Sequence, residues 1–363
     1  MRLYFCNFLF LFFINSCFSP KIKPESLGNI SECLLVCPSA LYSEKIVKDF
    51  VKIISSEQYG LPQPEPLFKV HYVKDIHNNI FHERHRFIIN LYFNKDFNTV
   101  PQYVLSSASK SLREKGFYFG IVKNPRSFPQ VEVWLLVSKN ESWLEYLELN
   151  KAAIVSYLLS IDRKLLLHNL SKSTQNVEAI KVLKDSLNVS MPILPGDYNI
   201  KVLRPNWAWL NKDLENGSLN LILWKSNLRP SQYPLSFQKR QKTINSDFFF
   251  SHVLNERNKF LSTNIPGPSQ GSFYTSETLL PIIVDSSFDR DNHSFSSEDH
   301  NLYLRGLWKM HGDFMGGPFV HRFFVDNDSS FHLEAFVYSP NQPKRVLLRE
   351  LECLIGEVSN FVL

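Results

Sequence analysis

The carboxy-terminal part of this 363-residue chain carries the pattern that most limits how it can fold. Apolar and polar residues alternate over 302–310, 319–325 and 331–338, which is the two-residue period of a half-buried strand. The sequence Asp326-Asn327-Asp328-Ser329 between the last two runs is typical of a turn. These runs predict an antiparallel meander. After Pro343, a helix with one apolar face is predicted by the spacing of Leu347, Leu351, Leu354, Ile355 and Val358.

The remainder of the chain alternates predicted helices with predicted strands. Strands are expected at 33–37, 68–72, 87–93, 131–137, 198–202 and 219–224, and helices at 42–54, 143–161 and 175–187. We therefore expect a layered α+β fold with mixed or antiparallel sheets, helices packed on one face, and two related α+β halves. The competing interpretation of the repeat is chance, because helix–strand–strand order is common.

Length and composition set the domain organisation. Domains of about 150 residues predict two for a chain of this length. Apolar residues make up 44% and charged residues 21%, which excludes a fully disordered chain and a multi-span membrane protein. We assign residues 1–17 to a signal peptide with a lipobox, 18–30 to a tether, 31–170 to the first half, and 171–363 to the second half, which ends in the meander and helix.

The amino terminus has the pattern of an export signal. Arg2 precedes an apolar stretch over 3–14, which is shorter than the roughly 20 residues that a membrane-spanning helix needs. The sequence Ile14-Asn15-Ser16-Cys17 resembles a bacterial lipobox and predicts lipidation at Cys17. A membrane-anchored lipoprotein of the cell envelope, facing the periplasm, is expected. A cleaved signal of a soluble protein and an uncleaved anchor are the alternatives.

The other cysteines do not predict a disulfide framework. Processing would remove Cys6 and modify Cys17, so that Cys33, Cys37 and Cys353 remain, an odd number. We expect these three side chains to be small buried hydrophobic groups. No cofactor is expected.

Several blocks resemble a known family. These are Arg305-Gly306-Leu307-Trp308, the segment 312–319, Phe336-Val337-Tyr338-Ser339-Pro340 and Lys344-Arg345, together with 61–68 and 265–277. They are similar to an uncharacterised family of bacterial lipoproteins, largely from Bacteroidota, known as domain of unknown function 4837. The resemblance implies a lipoprotein and a shared fold. It implies no activity.

The Gly312–Phe319 segment is the candidate ligand site. Gly316 and Gly317 permit positive φ angles, and successive N–H groups in such a turn can form an anion-binding nest. Arg305 could pair with a carboxylate or phosphate of an acidic or sugar-like ligand, beside Trp308. The alternative is a tight hairpin in which Trp308 belongs to the core and Arg305 faces solvent.

Two functions follow from these residues. The first is a lipid-anchored binding or scaffolding protein that is not an enzyme. The alternative is an envelope hydrolase at the same segment, with His311 or Asp313 as acid or base. A Ser-x-x-Lys pair, Ser107 and Lys110, lacks the partner motifs of penicillin-binding enzymes and is expected to be incidental.

Histidines and basic residues suggest two further sites. His77, His82 and His85 cluster with Glu83, but their spacing is not that of a helical zinc motif, so we expect a solvated loop and no metal. Residues 201–260 hold ten basic and four acidic side chains, a local excess of +6. That stretch would suit an envelope protein or an anionic glycan or lipid as partner, whereas an exported chain is not expected to bind nucleic acid. A solvated face is the alternative.

Overall fold

A computed structural model describes residues 23–38, 44–77, 79–226, 245–285, 301–326 and 329–360. The predicted signal peptide and Cys17 lie outside these residues. Within them, helices and strands separate into an amino-terminal and a carboxy-terminal domain, and no helix is long and apolar enough to cross a membrane. The α+β class expected from the sequence is confirmed.

The amino-terminal domain is built on a five-stranded sheet. Its strands lie in the order β2-β1-β3-β5-β4, in which β4 alone runs antiparallel to its neighbour. The elements are β1 Glu32–Val36, α1 Lys45–Ile54, β2 Lys69–Val73, α2 Ile80–Glu83, β3 Phe87–Phe93, a 3₁₀ helix Asn94–Thr99, α3 Gln102–Lys115, β4 Phe117–Lys123, β5 Val131–Val137 and α4 Asn140–Lys172.

The central strands of this sheet are buried on both faces. Strands β3 and β5 are almost continuously apolar, as parallel strands covered by helices must be. Helices α1 and α4 cover one face, where Phe50 and Trp143 are fully buried. Helix α3 covers the other face, where Val104 and Ala108 pack against Trp134. Both strands have the bounds that the sequence predicts.

The carboxy-terminal domain is built on an antiparallel sheet in the order β10-β12-β13-β14-β9-β8-β7, with β11 also paired to β12. Strands β12, β13 and β14 form the expected meander. The elements are α5 Val177–Leu187, β6 Val189–Ser190, β7 Asn199–Arg204, β8 Trp207–Leu214, β9 Gly217–Lys225, α6 Asn245–Asn264, β10 Phe273–Ser276, β11 Ile283–Val284, β12 Asn301–His311, β13 Gly316–Asp326, β14 Ser329–Tyr338, α7 Arg345–Gly356 and β15 Ser359–Asn360.

Helices cover both faces of this second sheet as well. Helices α5 and α7 pack on one face, through side chains such as Leu183 and Leu351. Helix α6 packs on the other face through Val253 and Leu261. The expectation of helices on one face is therefore corrected in both domains, because each sheet is apolar on both sides.

Two finer expectations differ from the structure. The first sheet is mainly parallel and the second is antiparallel, so the two halves do not share a strand order. The stretch predicted as a tether docks on the first domain over residues 24–27. There the Leu27 N–H donates to the carbonyl of Arg84 (2.7 Å), and the Phe128 N–H donates to the carbonyl of Pro24 (2.9 Å).

Candidate functional site

The glycine pair of the predicted ligand site lies in strand β13, and the turn before it spans residues 312–315. Gly312 has a φ of +85°, the left-handed region that favours glycine. Gly317 serves a different need, since a Cβ atom there would lie 2.1 Å from the carbonyl oxygen of Val337. Gly317 therefore allows strands β13 and β14 to approach closely. Neither Gly316 nor Gly317 has a positive φ angle, so the pair does not form the predicted anion-binding nest.

Arg305 and Trp308, the other predicted ligand-binding residues, are inside the protein. Arg305 is 2% exposed, and its guanidinium pairs with Glu352 (2.6 Å) and Asp285 (2.7 Å). Trp308 donates its indole N–H to the carbonyl of Val337 (3.1 Å). The structure thus places Trp308 in the core, as the alternative interpretation had it. It corrects the expectation that Arg305 faces solvent, because the Arg305 guanidinium is buried between two carboxylates of the chain itself.

Asp313 and His311, the candidate acid and base, lie at the surface with separate partners. The Asp313 carboxylate accepts from the Ser269 hydroxyl (2.5 Å) and from the Ser269 N–H (3.2 Å). The hydroxyls of Ser269 and Ser272 lower the pKa of Asp313, so it is a carboxylate at neutral pH. The His311 ring stacks on Phe273, with 4.8 Å between centroids. This geometry does not join the two side chains into a catalytic pair.

The Ser-x-x-Lys pair, the histidine cluster and the cysteines do not form a common site in the structure. Ser107 donates to the carbonyl of Tyr103 within helix α3 (2.9 Å), and Lys110 is exposed on that helix. His77 pairs with Glu83 at the surface (3.0 Å), whereas His85 is buried. Among the residues that the structure describes, no three His, Cys, Asp or Glu side chains come together as a metal site. Cys33, Cys37 and Cys353 are buried free thiols.

The basic side chains of residues 201–260 lie in different environments. Lys212 pairs with Glu350 (2.9 Å) and Asp197 (3.0 Å), and Lys201 lies 4.1 Å from the centre of the Trp209 ring. The basic residues at 229–242 lie outside the described residues. The described part of the stretch therefore does not form one basic patch.

A buried ionic network joins the two domains at helices α4 and α7. Glu352 is 1% exposed and accepts from Arg305 (2.6 Å), Arg349 (2.9 Å) and Arg163 (3.3 Å). Burial by itself would raise the pKa of Glu352, but the guanidinium groups of Arg349, Arg305 and Arg163 lower it to about 2. Glu352 thus shares one negative charge among three guanidinium groups at this interface, two of which also have Asp285 or Asp162 nearby.

Further contacts extend this network into the first domain. Asp162 accepts from the N–H and the hydroxyl of Ser31, both at 3.1 Å, and lies 3.8 Å from the Arg349 guanidinium. Arg349 also donates to the Gln58 side chain (3.0 Å). We call this set of contacts, from Ser31 to Glu352, the domain joint.

Glu65 adds a helix cap to the domain joint. Its two carboxylate oxygens accept from the backbone N–H groups of Lys344 (2.7 Å) and Arg345 (3.1 Å) at the start of α7. A carboxylate at a helix amino terminus satisfies free donors and suits the helix dipole. The domain joint therefore brings together three of the sequence blocks that carry the family resemblance: 61–68, 305–308 and 344–345.

A second buried polar cluster fixes helix α6 to the carboxy-terminal sheet. Glu334 accepts from Arg257 (2.5 and 2.9 Å), from the Tyr274 hydroxyl (2.6 Å) and from His321 (2.9 Å). The ring nitrogens of His321 and His332 are 3.0 Å apart. We call these residues the α6 cluster. Sequence reasoning missed it, because its members are up to 77 residues apart and lie in unrelated patterns.

Both histidines of the α6 cluster are neutral at neutral pH. Burial lowers the pKa of His321 to about 4, although Glu334 acts in the opposite direction. Burial also lowers the pKa of His332, against the effect of Glu256, whose carboxylate lies 3.4 Å from the ring. The cluster is enclosed and serves to hold α6.

Comparisons with known proteins find that two regions of the chain are similar to family models. Residues 26–171 match the model described as domain of unknown function DUF8532, and residues 176–356 match domain of unknown function DUF4837. We call the two matched regions the DUF8532 domain and the DUF4837 domain, after the models that they resemble. A search of curated proteins found no match. The boundary between the DUF8532 domain and the DUF4837 domain falls where α4 ends and α5 begins.

Two hollows lie on the DUF8532 domain. A groove of about 590 Å³ runs between α1 and α4, with Ile53, Leu147 and Val155 among its lining residues. A crevice of about 390 Å³ lies at the carboxyl ends of β3 and β5. We call the second hollow the edge crevice. Its lining residues are Glu44, Ile46, Phe93, Asn94, Lys95, Val137, Ser138 and Asn140.

Proposed function

We propose that this chain is a lipid-anchored protein of the cell envelope, of the Bacteroidota lipoprotein type, that works by binding or scaffolding. One observation supports this most: the buried charged and histidine side chains of the DUF4837 domain hold structural elements together. Arg305 pairs with Glu352 in the domain joint, and Glu334 pairs with Arg257 in the α6 cluster. Groups held in this way stabilise a surface on which a partner or ligand can be bound.

The membrane anchor is supported by the amino-terminal pattern. The chain enters the DUF8532 domain through residues 24–27, which hydrogen-bond along the edge formed by Arg84 and Phe128. A lipid on Cys17 would be separated from Pro24 by six residues, which span at most roughly 20 Å. We infer that the DUF8532 domain is held close to the membrane.

The anchor is tested with Cys17→Ser, using Cys6→Ser as the matched control. We expect Cys17→Ser to lose incorporation of labelled palmitate and to leave the membrane fraction, while Cys6→Ser keeps both. A Cys17→Ser chain that is labelled and sediments with membranes as the wild type does would overturn the proposed anchor.

The non-catalytic part of the proposal is tested by complementation of a deletion strain. His311→Ala and Asp313→Ala are expected to fold and to complement fully, because each side chain has only a local partner in the structure. If either variant folds normally, remains in the membrane and fails to complement, the hydrolase alternative replaces the binding function.

A further inference from the structure

We propose that the edge crevice of the DUF8532 domain binds a small zwitterion of the amino-acid or dipeptide class. The inference rests on the proposed binding function and names its site and ligand class. Three connections converge there: the start of α1, the exit of β3 at Phe93, and the exit of β5 at Val137.

The topology of the sheet places this crevice. After β1 the chain crosses to α1 on one face, and after β3 it crosses to α3 on the other face. Strands β1 and β3 are parallel neighbours, so their carboxyl ends form a topological switch point. The edge crevice lies beside that point, bounded by the ends of β3 and β5 and by the start of α1, which follows β1. In open sheets of this kind, ligands bind in the crevice outside the carboxyl ends at such a point.

The lining of the edge crevice determines the ligand class. Its floor is apolar, formed by Ile46, Phe93 and Val137. Its rim carries one anion and one cation, Glu44 and Lys95, both exposed. A ligand with an ammonium and a carboxylate group would find one charge complementary to each of these groups.

The size and the neutral polar groups agree with this class. A volume of about 390 Å³ is at the small end of the range for ligand pockets. Asn94 and Asn140 add amide groups at the rim, which suit the peptide bond of a dipeptide. The Ser138 hydroxyl donates to the carbonyl of Gly116 (2.9 Å), so its oxygen can only accept from a ligand. The larger groove between α1 and α4 has no such convergence, since its lining comes from those two helices and the turn after α1.

The test is isothermal titration calorimetry of the full chain, purified in detergent, with the dipeptide Ala-Ala as probe. We expect binding, and we expect N-acetyl-Ala-Ala-amide, which lacks both charges, to bind at least about tenfold more weakly. Lys95→Ala and Glu44→Gln should each weaken Ala-Ala binding by about tenfold, because each removes one charge-assisted contact.

A matched pair of variants locates the site. Asn140 lines the edge crevice and Glu141 does not, although both are exposed in the first turn of α4. We expect Asn140→Trp to fill the crevice and abolish Ala-Ala binding, and Glu141→Trp to bind as the wild type does. Equal binding by both variants would place the ligand elsewhere and overturn the inference.

The remaining outcomes separate this inference from the proposed function. If the wild-type chain binds neither Ala-Ala nor the capped peptide, the zwitterion site is wrong, while the anchor and complementation results still decide the binding function. If N-acetylglucosamine binds instead and Asn140→Trp blocks it, the crevice is a sugar site and the ligand class is wrong. Failure of His311→Ala to complement overturns the proposed function, but it does not change what the calorimetry says about Ala-Ala binding.

Discussion

A single carboxylate, Glu352, faces three guanidinium groups at the domain joint. Removing its charge leaves three buried guanidinium groups with only Asp285 and Asp162 as nearby counter-charges, and breaking a buried ion pair typically costs about 3–5 kcal/mol. We expect Glu352→Gln to lower the free energy of unfolding by that amount, measured by urea denaturation. The control is Glu148→Gln, which removes an exposed pair with Lys151 (2.8 Å) and should leave the free energy of unfolding nearly unchanged, because solvent screens such a pair. Equal losses would show that burial of the Glu352 network contributes nothing.

Gly317 lies where two strands approach too closely for any side chain. A Cβ atom at this position would collide with backbone, which cannot move aside as a flexible side chain can. We expect Gly317→Ala to lower the free energy of unfolding by about 2–4 kcal/mol. Gly356→Ala is the control, since nothing lies within 4 Å of a Cβ atom there. Alanine at the end of α7 should leave the stability unchanged or raise it slightly. The midpoint of thermal unfolding is measured for both variants, and equal midpoints would contradict the steric role of Gly317.

At the scale of elements, the α6 cluster makes the attachment of a helix depend on pH. The folded state holds His321 neutral with a pKa of about 4, whereas an unfolded chain protonates histidine near pH 6.5. Acidification therefore adds protons to the unfolded state first, and stability falls as the pH drops from about 6.5 to 4. Glu334, His332 and Arg257 face His321, and Glu256 faces His332.

Urea denaturation at a series of pH values tests this dependence. We expect the wild type to lose stability across that interval and His321→Gln, which has no imidazole to protonate, to lose less. His77→Gln, at an exposed ring, should follow the wild type. If the free energy of unfolding of His321→Gln changes with pH as steeply as that of the wild type, the role assigned to His321 is contradicted.

How well an element can be predicted depends on how strongly burial patterns its sequence. Strands β3 and β5 were predictable because both of their faces are covered, which produces continuous apolar runs. Helix α3 was missed, since it buries only Val104 and Ala108 and carries a serine-rich outer face. Helix α6 was missed because it contributes Arg257 to a buried cluster, a residue that a pattern of apolar side chains assigns to solvent.

At the scale of the whole molecule, Glu65 links the DUF8532 domain to the first turn of α7 in the DUF4837 domain. Losing such a cap typically costs about 0.5–2 kcal/mol. We expect Glu65→Ala to weaken the domain joint, so that the DUF4837 domain unfolds at lower urea concentration than the DUF8532 domain. Glu57→Ala, an exposed residue of the same connection, is the control. Hydrogen exchange of α7 that is unchanged in Glu65→Ala would show that the cap does not hold the helix.

The candidate sites could be predicted only where their residues are neighbours in sequence. The meander and its turn were predictable from local alternation, and the segment 312–315 does form the connection of β12 to β13. The role of Arg305 was not predictable, because its partners Asp285 and Glu352 come from positions 20 and 47 residues away. The edge crevice was hidden for the same reason, since three separate connections meet there only after the parallel sheet has formed.

The late position of α7 in the sequence also sets the order in which the molecule is completed during synthesis. The DUF8532 domain emerges from the ribosome first and can fold as a unit. Until residues 344–352 follow, its Gln58, Glu65 and Asp162 lack the α7 groups that they contact in the finished protein. The nascent chain therefore presents a polar, charged surface at this position, where Arg163 lies with these groups, rather than an apolar one. Because exposed apolar patches are the surfaces that drive association, we expect this part of the half-made protein to remain monomeric until α7 arrives.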